Sequence, residues 1–299
     1  MPEAEPLGYT IRDAVENFLM DRRVRGCGSN TLRYYRDELR QLELYTGPVD
    51  MGMVNADCLR SFFLAMEAKR NRGGIHSLYR SVHVFLRWFA AEMGGEYDDP
   101  TGRIAVKAPK HRPLPGVPVE DIQRMVDACT GPLATRDATM LRVLLDTGLR
   151  SFEFVALNLG DVNLITGAVY VMRGKGDQER TVYMGQASRR AVRKYLKPRT
   201  HLNPAAPLWL TDEGARLSKR GLREVVERRA AQARVHCPGL HDFRRAFALN
   251  MHRAGVDILT ISRLLGHRSL EMTKRYIARD DNDLRAGHAR GSPVDNAGL

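Results

Sequence analysis

Four prolines within sixteen residues, in VKAPKHRPLPGVPVED at 106–121, set the first constraint on how this chain folds. Each proline fixes φ and removes a backbone donor, so neither a helix nor a central strand runs through the segment. With several cations interleaved, the stretch reads as an extended linker. The 299 residues are enough to bury two cores of ordinary size, one on each side of it. The expected division is an N-terminal domain over 1–109, a linker over 110–117, a second domain over 118–282 and a Gly-rich, polar tail over 283–299 that is loose at its end. No internal repeat or low-complexity tract competes with it.

Ahead of the prolines the apolar spacing is helical. Ile11, Ala14, Val15, Phe18 and Leu19 form one stripe; Leu32, Tyr35, Leu39 and Leu42 form another, behind a cap at Ser29 or Asn30. Two more helices are expected over 57–69 and 75–93, the latter burying Val84, Phe85 and Trp88 and keeping Arg80 and Arg87 on its polar side. Beyond the prolines, helices are expected near 119–129, 136–148 and 151–157. Short β-branched runs in DVNLITGAVYVMRGKGDQERTVYM, parted by Thr166-Gly167 and by residues 174–177, then predict a small antiparallel sheet of three strands. Helices resume near residue 187, so the fold class is mainly α, as α+β.

The formal net charge is +12, and a field of that sign gathers phosphates. Nucleic acid and an anionic membrane surface would both satisfy it. No run of about eighteen apolar residues occurs, and the start MPEAEPLGYT has neither the basic nor the apolar part of a signal peptide, so a cytoplasmic protein with no membrane partner is expected. Cys27, Cys58, Cys129 and Cys237 stand singly, which argues for reduced thiols rather than a disulfide framework or a zinc ribbon. HCPGLH at 236–241 matches none of the usual zinc spacings, and no metal site is expected.

Four separated stretches place a cation or a proton carrier where a helix ends or a tight turn begins: DTGLRSFEFVALNLGDV, RGKGDQERTV, HDFRRAFAL and LLGHRSLEMTKRY. Gly148 is expected to end one helix so that the next begins near Ser151. Arg150 there either offers its planar fork to a phosphate or pairs with Glu153 on the next turn. Lys175, between two glycines at a hairpin tip, either meets a ligand or is a solvated turn lysine; the spacing of a phosphate-binding P-loop fails around it. His241 and Arg244, three apart, share a helical face, and a proton carrier beside a fixed charge suits phosphoryl chemistry. His267 precedes Tyr276 by about two and a half helical turns.

Read together, these stretches resemble the motifs of the tyrosine recombinases, the family of phage integrases and Xer-type resolvases. TGLRSFE is similar to the family's first arginine motif with its companion glutamate, and GKGDQER to its β-hairpin lysine motif. HDFRRAFA resembles its H-x-x-R box, and LLGHRSLEMTKRY its G-H box and nucleophilic tyrosine. SNTLRYYRDELRQL resembles, more weakly, the first part of a core-type DNA-binding domain.

The resemblance implies a helical, SAM-like core-binding domain followed by a mostly helical catalytic domain. It implies site-specific recombination of double-stranded DNA, in integration, excision or resolution, through a metal-independent transesterification with no cofactor. Tyr276 would attack the scissile phosphorus and become a 3'-phosphotyrosyl ester, though a phenol is a weak acid and needs help to lose its proton. Arg150 and Arg244 would grip the nonbridging oxygens, His241 would handle the tyrosine proton and His267 would donate to the phosphate. Lys175 would protonate the departing 5'-oxygen, and Glu153 would orient Arg150. Because the ester conserves the free energy of the broken bond, rejoining requires no ATP.

The resemblance also implies a homotetramer on two duplexes, with the tail as a candidate exchanged arm and an accessory protein as a further candidate partner. DNA would lie in a clamp of basic faces, with phosphate contacts from Arg33, Arg36, Arg80, Arg87, Lys107, Lys110, Arg220, Arg245, Lys274 and Arg275. Lys274, Arg275 and Arg279 either contact DNA or lower the cost of ionising the phenol. A helical domain that begins close to the N-terminus points to a compact Xer-like or mobile-element enzyme. The rivals are a type IB topoisomerase, a non-cutting DNA-binding protein of the same fold, and a basic membrane- or nucleic-acid-coating protein.

Overall fold

The computed structural model describes residues 7–109, 116–172, 179–199, 203–267, 269–274, 276, 285, 287–289 and 291–297. The chain packs as two units, Met1–His111 and Arg112–Leu299.

The first unit is built from α1 (Ile11–Val24), α2 (Ser29–Thr46), α3 (Ala56–Glu67) and α4 (Arg72–Glu92). Side-chain caps start three of them: Thr10 accepts from Asp13 N, Asn55 from Asp57 N and Cys58 N, and Asn71 from Gly74 N. The α1 stripe of Ile11, Ala14, Val15, Phe18 and Leu19 is buried throughout. Phe18 at its centre meets Tyr35 and Phe85 edge-on at 5.2 and 5.6 Å, and burying such a ring contributes about 1.5–3 kcal/mol. On α4 the buried face runs through Leu78, Val82, Phe85 and Phe89. Val84 and Trp88, expected inside, are half-buried, because at 3.6 residues per turn they fall on the flank of that face. Arg33, Arg36, Arg80 and Arg87 are exposed.

The second unit holds α5 (Val119–Asp127), α6 (Ala134–Thr147), α7 (Ser151–Ala156), strands β1 (Ala168–Val171) and β2 (Arg180–Tyr183), α8 (Gln186–Leu196), α9 (Lys219–Ala233), α10 (Leu240–Arg253), α11 (Ile258–Leu265) and α12 (Leu270–Lys274); a short helix follows at Pro293–Ala297. Its core joins Met140 and Leu144 of α6, Phe154 of α7, Val169 and Val182 of the strands, Val226 of α9 and Phe243 of α10. Trp209 stacks on Phe154 at 4.8 Å and on Tyr195 at 5.5 Å. Val117 belongs to this core, and its N–H donates to Asp242 O at 3.4 Å.

Among the described residues the sheet has two strands rather than three, antiparallel, with Ala168 opposite Tyr183 and Val171 opposite Arg180. The expected first strand is reduced to a single bridge, Val162 to Val169. The Asn163 side chain accepts from Ile165 N and Thr166 N, and Gly167 N returns to Asn163 O. That turn consumes the backbone groups a ladder would need.

An ionic knot ties α6 to α9. Asp137, with no exposed surface, accepts from its neighbour Arg136 and from Arg228 and Arg229. At the far end of α6, Gly148 is the left-handed cap at φ +59°, and a Cβ there would lie 2.5 Å from Phe247 Cδ1. Only glycine lets the chain turn so tightly under that ring, and the turn delivers Arg150 to the start of α7.

Candidate active site

Arg150 and Glu153 bracket the first turn of α7. Glu153 Oε2 accepts from Arg150 N at 2.8 Å, and Oε1 from Arg150 Nη1 at 2.9 Å. The other donors to this buried carboxylate come from β2. Arg180 Nη1 reaches Oε1 at 2.8 Å and Arg180 Nη2 reaches Oε2 at 2.7 Å, a fork on a fork. Among the described residues four hydrogen bonds converge on the carboxylate. Burial alone would raise the Glu153 carboxyl, but the hydrogen bonds and charge of Arg180, and then those of Arg150, prevail and hold it below its ordinary range. Glu153 is therefore a fixed anion that orients cations, with no proton to give.

A second set of acceptors lies at the C-terminal end of α11, where Gly266 is a left-handed cap at φ +65°. Three successive carbonyls each take a different arginine. Leu264 O accepts from Arg180 Nε at 2.8 Å, Leu265 O from Arg244 Nη2, and Gly266 O from Arg150 Nη2 at 3.2 Å. These are the groups a helix leaves unpaired, and they carry its negative dipole end. Arg244 is 1% exposed and donates its Nη1 to Gly148 O at 2.8 Å, so one guanidinium closes the ends of both α6 and α11. Among the described residues its buried Nε has no partner. Burial, then the charge of Arg150, lower the Arg244 guanidinium to about 10, which leaves it charged at neutral pH.

The proton carriers stand beside this frame. His241, in the first turn of α10, places Nε2 2.8 Å from the hydroxyl of Tyr276. Burial, then the charges of Arg245 and Arg244, lower the His241 pKa, so the ring is neutral at pH 7 and free to accept a proton. His267 directly follows the Gly266 cap. Its Nδ1 is 2.7 Å from the hydroxyl of the fully buried Thr273, and its ring centroid is 5.3 Å from that of Tyr276. Burial and the charges of Arg244 and Arg150 push its pKa down to about 3. Tyr276 N donates to Thr273 O at 2.9 Å, so one threonine fixes both a histidine and the turn that bears the tyrosine. A neutral base touching a phenol, beside three fixed guanidinium groups and one carboxylate, can ionise a nucleophile and offset charge on an oxyanion.

The profile of the phage integrase family matches residues 117–283. The chain belongs to this family of tyrosine recombinases. It is similar to the tyrosine recombinase XerC of Mycobacterium sp. (strain KMS), 31% identical over 301 residues, covering 95% of this chain and 99% of that one. It is also similar to XerC of Thermodesulfovibrio yellowstonii, 29% identical over 293 residues with 94% and 96% covered. Its fold is similar to that of the Tn1549 transposon integrase in complex with circular intermediate DNA, at TM-score 0.76 and 18% identity, covering 94% of this chain and 99% of that one. As a tyrosine recombinase it is a DNA strand-transferring enzyme, and site-specific recombination is favoured over relaxing topoisomerase activity or non-cutting binding.

Of the recombinase residues expected from sequence, Arg150, Glu153, His241, Arg244, His267 and Tyr276 converge on the ends of α6, α10 and α11. Lys175, Lys110 and Arg275 lie outside the described residues, as does the side chain of Lys274. Arg220 is exposed and pairs with Glu224 at 2.8 Å, and Arg36 approaches Glu16 at 3.8 Å. Arg245 is taken by Asp242 at 2.6 Å. Among the described residues no group of three or more His, Cys, Asp or Glu is placed to hold a metal ion, and no helix is long and apolar enough to cross a membrane. Sequence reasoning missed Arg180 and Thr273. Arg180 closes the quoted GKGDQER and Thr273 stands three residues before Tyr276, but nothing in either position announces a buried partner.

Proposed function

We propose that this recombinase cuts and rejoins double-stranded DNA at a specific site with Tyr276 as nucleophile. The bond from the Tyr276 oxygen to phosphorus forms as the bond from phosphorus to the 5'-oxygen breaks. The phenol proton passes to His241 Nε2, and Lys175 supplies a proton to the leaving oxygen. The products are a 3'-phosphotyrosyl ester and a free 5'-hydroxyl, and attack by another 5'-hydroxyl reverses the step on a new strand. Arg150 and Arg244 offset the charge on the nonbridging oxygens, and His267 donates to one of them. The observation that carries this reading is the 2.8 Å contact of a neutral His241 with the Tyr276 hydroxyl, beside a frame of arginines.

The roles of the two units follow: 1–109 as a core-type DNA-binding domain, 118–282 as the catalytic domain, 110–117 as the linker and 283–299 as an arm exchanged within a homotetramer on two duplexes. Exposed Arg33, Arg36, Arg80, Arg87 and Arg220 contact phosphates, as do Lys110, Lys274 and Arg275. The surface pairs Arg36–Glu16 and Arg220–Glu224 are worth little and yield to DNA at small cost. The setting is the cytoplasm.

Covalent trapping tests the reading. Wild type and Tyr276→Phe are incubated, in EDTA, with nicked, end-labelled duplexes drawn from the native genomic neighbourhood, and adducts are resolved on a denaturing gel. An adduct in wild type alone supports tyrosine attack and reveals the site. An adduct that persists in the phenylalanine variant removes Tyr276 from the role.

A further inference from the structure

Arg180 is placed to govern the site without touching the reacting atoms. Its side chain is 7% exposed, and its hydrogen bonds run inward, two to Glu153 and one to Leu264 O. The contacts close a ring. Arg180 holds Glu153, Glu153 holds Arg150 through N and Nη1, Arg150 reaches Gly266 O, and the backbone from Gly266 to Leu264 returns to Arg180. The arginine is also packed against the cap itself, since a Cβ on Gly266 would lie 2.8 Å from Arg180 Cδ.

We propose that Arg180 is a positioning residue for strand transfer, aiming Arg150 and seating the Gly266–His267 turn. The inference rests on the strand-transfer reading above. Two physical effects combine. A bidentate partner on Glu153 shares its negative charge, so Arg150 retains the positive charge that a phosphate requires. The Nε bond to Leu264 O fixes the helix end that bears His267, joining the sheet to the G-H turn. Lysine cannot replace it, because one ammonium on a flexible stem does not make a planar fork and a third bond at once.

The test uses the full-length chain and compares wild type, Arg180→Lys, Arg180→Met and Arg150→Ala. The probe is a nicked, end-labelled duplex bearing the site recovered from the wild-type adduct, made with either a phosphodiester or a neutral methylphosphonate at the scissile position. Single-turnover adduct formation is measured at saturating protein, alongside binding by gel shift and thermal midpoints. Arg180→Lys is expected to form adduct about 10- to 100-fold more slowly on the phosphodiester, as for misaimed reactive groups, with binding nearly unchanged. On the methylphosphonate, which lacks one of the charged oxygens that Arg150 serves, its deficit should shrink in parallel with that of Arg150→Ala. A merely structural lesion would slow both substrates equally. An Arg180→Lys rate equal to wild type, or a deficit the same on both substrates, overturns the inference while leaving strand transfer intact. Should Arg180→Met fail to fold, Arg180→Lys alone decides. Absence of any wild-type adduct overturns the strand-transfer reading, and this inference with it.

Discussion

His241 Nε2 and the Tyr276 hydroxyl are 2.8 Å apart, and the histidine approaches from a different helix than the one leading to the tyrosine. Because burial and two arginines keep the ring neutral, the pair is poised for transfer from phenol to imidazole. Adduct formation should therefore be supported at pH 7 and fall as pH drops through the His241 pKa, which lies below the usual 6.5 of a free histidine. His241→Ala should lower the single-turnover rate by about 10²- to 10⁴-fold, the usual worth of a general base, and flatten that acid limb. A variant that keeps the limb unchanged would assign the titration to another group.

The same burial makes folding pH-dependent. His267 has its folded pKa pushed down to about 3, so the unfolded chain binds the proton first. Stability from this group is then fully present above about pH 6.5 and is lost as pH falls toward 3. Urea unfolding can follow the second unit alone in a Trp88→Phe background, since the chain has 2 tryptophans and Trp209 is the other. Between pH 7.5 and 5, wild type should lose more stability than His267→Gln. Equal losses would remove His267 as the source.

Thr273 presents a cleaner separation of packing from hydrogen bonding. Valine nearly matches its shape but lacks the hydroxyl 2.7 Å from His267 Nδ1. A lost hydrogen bond of about 1 kcal/mol corresponds to a several-fold loss of rate, so Thr273→Val should slow adduct formation about 3- to 10-fold without weakening DNA binding. Thr273→Ser should restore most of it. If serine is as slow as valine, the methyl contacts rather than the hydroxyl matter.

Local rules made much of this molecule legible. The α1 stripe and the stop at Gly148 follow from 3.6-residue spacing and from glycine's access to positive φ. The same spacing puts His241 and Arg244 on one face of α10. What stayed hidden is non-local. Arg180 is 27 residues from Glu153 and 84 from Leu264, and no periodicity links them. The expected first strand failed for the opposite reason, because the Asn163 side chain satisfies its own backbone and outcompetes the β preference of Val162, Leu164 and Ile165.

Asp137 serves stability rather than chemistry. It has no exposed surface, and Arg136 and Arg229, only 6% and 3% exposed, depend on it for a counter-charge. Asp137→Asn keeps the volume and removes the charge, leaving two buried guanidinium groups unneutralised at a cost of about 3–5 kcal/mol. The urea midpoint followed by Trp209 should fall accordingly, while adduct formation measured well below the transition keeps its rate, because the knot sits at the start of α6 and the site at its end. Adding Arg229→Met removes one orphaned charge, so the double variant should be more stable than the sum of the two single losses. Strict additivity would mean that Asp137 and Arg229 stabilise the fold independently, and the knot would have to be abandoned as the reason α6 and α9 hold together.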